Sequence, residues 1–342
     1  MENKQLRRDC YGLLKALIVP LVILGHFCVM YTPNGAFHPL AGSSVLASVS
    51  TYLYSFHMPA FFMLSGCVYG FAILSGKYRA PGHFLLKKTK RLILPFFLFG
   101  LLLVVPVVYF CKVEALSIPQ AALKNIIFAS QPRHLWYVLT LFEIFVLCAV
   151  LRPLLEKRPL FVFLGAAALY CIVQPRLRLL DQYLPASNFL GYKNLLRNLV
   201  YFVFGVLLNR YFDGILRVVK KVWFLWILFP LAQAAVFRSD VESFYTSYLK
   251  VPVFGLLGGF AVLSLGMILC SFFQKLASCK FFRSLSDCGY GMYLLHPMLI
   301  YCLFFLLRER AVNPYLLVGA GTVVITALCW GLIFAYRKLF KK

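Results

Sequence analysis

The chain has 342 residues, of which 62% are hydrophobic and only 13% charged, and its formal net charge is +24. Soluble globular domains are about half apolar, so this composition excludes an ordinary water-soluble fold and points to one membrane domain over residues 1–342. The positive charge does not signal nucleic-acid binding, because the basic residues sit in short caps between apolar runs and form no continuous stripe.

In chain order, apolar runs fall near residues 13–31, 45–74, 92–111, 135–151, 160–173, 198–213, 222–237, 250–273, 286–307 and 314–336. About twenty helical residues cross a hydrocarbon core of roughly 30 Å. The pattern therefore predicts an all-α, polytopic membrane protein with about ten transmembrane helices. A basic patch precedes the first run, as in a signal peptide, but 13–31 is long and lacks a small-residue cleavage site, so it reads as an uncleaved span. Two runs are marginal: 160–173 is short and soon meets Pro175, and 222–237 contains Pro230. Short or broken spans are tolerated where protein or a water-filled cavity surrounds them.

The basic residues orient the bundle. With the N-terminus inside, the cytoplasmic segments hold 24 of the 35 Lys and Arg residues. The first outer loop, 32–44, has none, whereas the loop after the second run has six. By the positive-inside rule both termini are cytoplasmic. The longest outer connections, 112–134 and 174–196, then face the exterior, where an acceptor would dock.

Most of the eleven cysteines (Cys28, Cys67, Cys148, Cys171, Cys270, Cys302 and Cys329 among them) lie in apolar runs without a CxxC pair. They read as small packing residues, and no metal site is expected.

Ionisable groups at membrane depth are costly and mark functional candidates. Four stand out: His26, His57, Glu143 and His296, with Glu143 the one carboxylate well inside a span. A neutral histidine oriented by a carboxylate is a good proton acceptor. Lys15 sits at the mouth of the first span and His26 eleven residues deeper, a rise of roughly 16 Å. That pair suits a donor arriving from the cytoplasm, or equally a snorkelling lysine and a structural histidine.

Five stretches carry a resemblance to a known family. LLKALIVPLVILGHF (13–27), SFHMPAFFMLSG (55–66), KKTKRLILPF (87–96), RHLWYVLTLF (133–142) and GYGMYLLHP (289–297) resemble, in that order, motifs of the acyltransferase-3 family of integral membrane acyltransferases. The resemblance implies transfer of an acetyl or similar acyl group from cytoplasmic acyl-CoA to a hydroxyl of a cell-surface glycan or lipid-linked sugar. It implies a multi-pass protein of the plasma membrane, a bacterial inner membrane, with acyl-CoA as donor cosubstrate rather than a resident cofactor. Its partners would be acyl-CoA, the sugar acceptor and membrane lipid.

Carried over residue by residue, Lys15 and His26 take the first-helix motif, and Lys88, Lys90 and Arg91 offer a site for the phosphates of coenzyme A. His26 is the expected base with Glu143 as its orienting partner, while His57, Ser65, Tyr293 and His296 line the cavity or stabilise an oxyanion. The sequence departs from the pattern at Gly12, where relatives carry an acidic residue, and at Lys88-Thr89-Lys90, where they carry Arg-x-Arg. Plainer readings stand beside these: Ser65-Gly66 as a small-residue helix contact, and Trp136 and Tyr137 as an interfacial belt. A glycan-precursor transporter or a non-catalytic subunit of a polysaccharide assembly complex is the alternative function.

Overall fold

The computed structural model describes residues 2–32, 35–36, 42–130, 132–183, 188–224, 231 and 244–340. Among them there is no strand. The helices are α1 (Glu2–Val29), α2 (Ser44–Leu74), α3 (Pro81–Phe110), a short helix over 118–127 labelled α4, α5 (Trp136–Lys157), α6 (Pro159–Tyr183), α7 (Tyr192–Arg210), α8 (Phe212–Lys221), α9 (Phe244–Phe272), α10 (Lys280–Leu307) and α11 (Pro314–Phe340).

Local chemistry sets the helix ends. Ser43 caps α2 by accepting from the Leu46 amide. At the other end Gly76, at φ 75°, closes α2 while the Gly76 and Lys77 amides reach back to the Ile73 and Ala72 carbonyls. This is the left-handed stop that glycine permits. Helix α3 starts on Pro81 and contains two π-helical turns, Thr89–Ile93 and Gly100–Val104. Each turn lies just before a proline, Pro95 or Pro106, where the missing N–H would leave an α-helical carbonyl without its donor.

The bundle is organised by the crossing of α2 on α7. A Cβ added to Gly66 would collide with the Phe202 carbonyl, and one added to Gly205 with the Met63 carbonyl. The two backbones are in direct contact there, as small residues allow between membrane helices. Side chains of α1, α2, α5, α7 and α10 fill the core around this crossing.

Ion pairs fix the two ends of the bundle. Asp9 meets Arg283 and Asp287 meets Arg337, so the starts of α1 and α10 and the end of α11 share one end. Glu114, which follows the far end of α3, pairs with Arg133 at the opposite end. The first turns of α1 and the last turns of α11 therefore approach the same end of the bundle.

Among the described residues seven helices are long and apolar enough to cross a membrane, and eight if the pair Phe189–Arg210 and Phe212–Lys221, bent by 86°, counts as one broken span. This is fewer than the ten expected. The fifth expected span, 160–173, falls in α6, whose apolar part runs over Pro159–Gln174; that part alone rises about 24 Å, less than the hydrocarbon core, while the helix continues to Tyr183. The seventh, 222–237, lies mostly outside the described residues. After the sixth the chain turns into α8, which places basic Lys220 and Lys221 outward and Leu216 and Val219 inward, the pattern of a helix lying at an interface.

The crossing gives a direct test. Gly66→Ala and Gly205→Ala should each lower stability by about 1–3 kcal/mol or more through overpacking. Gly165→Ala, where nothing lies within 4 Å, should leave it unchanged or slightly raised. Thermal unfolding of the detergent-solubilised protein distinguishes the three variants.

Candidate active site

A cavity of about 180 Å³ opens among α1, α2, α3, α5 and α10 at the end of the bundle that carries the chain termini. Each helix sends the residues that its period puts on one face. Tyr11 and Lys15 are one turn apart on α1, and Lys88, Arg91 and Leu92 share a face of α3. Lys90, off that face, is exposed and does not line the cavity. Gly289 of α10 leaves room for the Lys15 stem, since a Cβ there would sit 3.1 Å from the Lys15 Cε.

The electrostatics of this cavity are one-sided. Lys15, Lys88 and Arg91 line it, and none of the lining residues is Asp or Glu. Lys88 Nζ lies 3.8 Å from the Phe145 ring centroid and 5.5 Å from those of Tyr78 and Phe84. Tyr78 holds its place with a left-handed backbone, φ 65°, and its carbonyl accepts from Arg152. Cation–π contacts contribute about 0.5–2 kcal/mol each, whereas desolvating an ion costs several kcal/mol. The rings offset part of that cost, and an anionic ligand would supply the rest.

The floor of the cavity is a set of hydroxyls. Ser65 Oγ and Tyr137 Oη are hydrogen-bonded at 2.8 Å. The Tyr137 ring is 5.4 Å from that of Tyr293, whose hydroxyl donates to the His134 carbonyl. Tyr137 is therefore a buried member of the cavity rather than part of a lipid-facing belt.

Below this floor four imidazoles gather. The His26 ring lies 4.9 Å from that of His296, and the His296 ring lies 6.2 Å from that of His134. Tyr54 stands between His26, at 6.2 Å, and His57, at 4.6 Å. Backbone carbonyls fix the rings. His57 Nδ1 faces the Leu53 carbonyl at 2.5 Å and His296 Nδ1 the Met292 carbonyl at 3.0 Å, whereas His134 uses Nε2 toward the Leu294 carbonyl at 3.2 Å. A carbonyl can only accept, so each of these nitrogens carries the proton. The neutral ring then keeps its lone pair on Nε2 of His57 and His296 and on Nδ1 of His134, and these three atoms are buried without a hydrogen-bond partner.

The structure thus brings Lys15, Lys88, Arg91, Ser65 and Tyr293 to one cavity and His26, His57 and His296 to the cluster beneath it. It does not bring Glu143 to His26. Glu143 Oε2 is buried without a hydrogen-bond partner, and the histidines are oriented by carbonyls of their own or a neighbouring helix. Asp9, one turn before Gly12, is held by Gln5 and Arg283 instead of facing Lys15. Sequence reasoning gave no role to His134, which sits on the single turn Arg133–Leu135 ahead of α5 and so escapes a search for histidines deep in apolar runs. The 133–142 motif contained it.

A family model described as an acyltransferase domain matches residues 9–334. The chain belongs to the acyltransferase-3 family. No curated protein and no solved structure matches it. Membership makes the chain a membrane acyltransferase, and the match takes in the cation-lined cavity, the hydroxyl floor and the imidazole cluster alike.

The tautomers are open to measurement. With ¹⁵N-histidine in the reconstituted protein, solid-state NMR should show neutral His57 and His296 as Nδ1–H forms and neutral His134 as the Nε2–H form. Assignment by single His→Asn variants that gave the reverse pattern would remove the lone pairs from where the geometry puts them.

Proposed function

We propose that this acyltransferase takes acyl-CoA, with acetyl or a similar acyl group, into the cavity lined by Lys15, Lys88 and Arg91 and passes the acyl group to a hydroxyl of a cell-surface glycan or lipid-linked sugar. The carrying observation is the pairing of three cations without a carboxylate with a hydroxyl floor that leads to the imidazoles. Arg91 offers a fork of donors to phosphate and the two lysines offer point charges. The plasma membrane of a bacterium, with the cation cavity toward the cytoplasm, is the setting in which acyl-CoA is available to it, and the distribution of basic residues supports that orientation.

In the reaction the sugar hydroxyl oxygen attacks the thioester carbonyl carbon. The hydroxyl proton passes to an imidazole lone pair, assigned to His26, whose ring packs on His296. The oxyanion needs a donor. Tyr293 spends its proton on the His134 carbonyl, but Ser65 and Tyr137 share one hydrogen bond between two hydroxyls, so one proton of that pair is free to donate. The carbon–sulfur bond then breaks, and the thiolate of coenzyme A takes the proton from the imidazolium. Glu143 stays outside this transfer.

The test uses protein in nanodiscs, radiolabelled acetyl-CoA and a glycan pool from the source cell. Wild type should place label in an alkali-labile ester, and His26→Gln should lose transfer by about 10²-fold or more. Lys88→Met should raise the half-saturating acetyl-CoA concentration by roughly tenfold, a loss of about 1.4 kcal/mol, with a smaller effect on the maximal rate. Full transfer by His26→Gln at normal protein levels would refute the base assignment. No label from folded wild type, with a panel of acyl-CoAs tried, would favour a transporter or a non-catalytic subunit.

A further inference from the structure

The end of the bundle opposite the cation cavity holds a second, open pocket of about 350 Å³, lined by Ser130, Pro132, Arg133, Trp136, Asn188 and Asn194. Two segments distant in sequence build it. The Leu190 amide donates to the Phe128 carbonyl at 2.9 Å, and Asn188 Nδ2 donates to the Ser130 carbonyl at 3.3 Å. Among the described residues, three of the five non-glycine residues with positive φ, namely Ala129, Arg133 and Leu190, belong to these segments, and Gly191 joins them at φ 77°. Left-handed backbone is unfavourable for residues with a Cβ, and such conformations concentrate where a binding surface requires them.

The lining has a distinct chemistry. It combines two side-chain amides, a hydroxyl, a guanidinium and a half-buried indole. The guanidinium is already paired with Glu114, so this pocket, unlike the cation cavity, does not select for an anion. Amides and hydroxyls that donate and accept, beside an aromatic face, match a neutral polyhydroxylated ring.

The pocket is also connected to the imidazoles. His134 lies between Arg133 of the pocket and the cluster, with its Nδ1 unpartnered and its ring 6.2 Å from that of His296. Lys88, near the start of α3, is about 22 helical residues from Phe110 at its end, a rise of roughly 33 Å, and Glu114 lies just beyond that end. Donor and sugar would therefore approach the cluster from opposite ends.

We infer that this pocket is a subsite for a neutral sugar ring of the acceptor, with Trp136 as its aromatic face and Asn188 and Asn194 as its hydrogen-bonding walls. The inference rests on the proposed sugar-hydroxyl acceptor. Its occupancy does not depend on acyl transfer, which allows the two to be tested apart.

The experiment uses the full chain in nanodiscs and three probes: methyl β-galactoside, methyl β-N-acetylglucosaminide and the anionic methyl β-glucuronide. Tryptophan fluorescence of wild type should change saturably with at least one neutral glycoside, and the same change should persist in Lys88→Met. It should disappear in Trp136→Phe and need at least tenfold more glycoside in Asn194→Ala. In the transfer assay Asn194→Ala should raise the half-saturating acceptor concentration by a similar factor and leave that of acetyl-CoA unchanged. Circular dichroism and gel filtration establish that both variants are folded.

No response to either neutral glycoside, a response to the glucuronide alone, or an unchanged titration in Asn194→Ala would each overturn the subsite. Saturable binding of a neutral glycoside with the expected variant pattern, in a protein that transfers nothing from acetyl-CoA, would uphold the subsite while the proposed reaction fails.

Discussion

Direct backbone contact between α2 and α7 sets the position of nearly everything else in the site. Because Gly66 presses on the Phe202 carbonyl and Gly205 on the Met63 carbonyl, neither helix can rotate without opening the contact. Ser65, the residue before the contact, is thereby aimed at Tyr137, and His57, two turns earlier on α2, is carried into the imidazole cluster. In lipid there is little hydrophobic gain in bringing helices together, so close packing of small residues has to supply the association. The glycines that hold the bundle and the serine that faces the cavity are neighbours in sequence for that reason.

A second constraint is the treatment of polar groups in an apolar interior. Unpaired polar atoms there cost free energy of about 1–3 kcal/mol each. The chain satisfies one nitrogen on each of His57, His134 and His296 with a main-chain carbonyl and leaves the other bare. Carbonyls orient a ring without adding a negative charge beside it. The cavity above follows the same economy of charge, with cations grouped around aromatic rings and no anion among its lining residues. Three cations in such surroundings repel one another, and an anion bound there would relieve that repulsion.

Much of this was legible in the sequence. Long apolar runs gave the helical membrane class, and the ordered motifs from Lys15 to His296 pointed to the family. The sequence groups Lys90 with Lys88 and Arg91 because a basic run shows charge and not facing; of these three only Lys88 and Arg91 line the cavity, and Lys90 is turned away. The span count was less legible. An apolar run of fourteen residues at 160–173 is by itself shorter than a span needs, although its helix continues to Tyr183, and the 86° bend after Arg210 has no proline or glycine pair to announce it. Glu143 misled because depth in a span says that a carboxylate is buried, not which partner it faces. His134 was hidden for the opposite reason, since its burial comes from the packing of α10 over a single turn, an event of tertiary structure.

The two ends of the molecule differ in what they can recognise, and the difference follows from charge bookkeeping at Arg133 and Arg91. Both are guanidiniums near a pocket. Arg133 is neutralised by Glu114 and braced by Lys124 on the same carboxylate, whereas Arg91 stands with Lys15 and Lys88 around a cavity without a counter-charge. An anion gains at the second and not at the first. Between them the imidazoles form a line from His134 through His296 to His26, reached from one end through the Ser65–Tyr137–Tyr293 floor and from the other past Trp136.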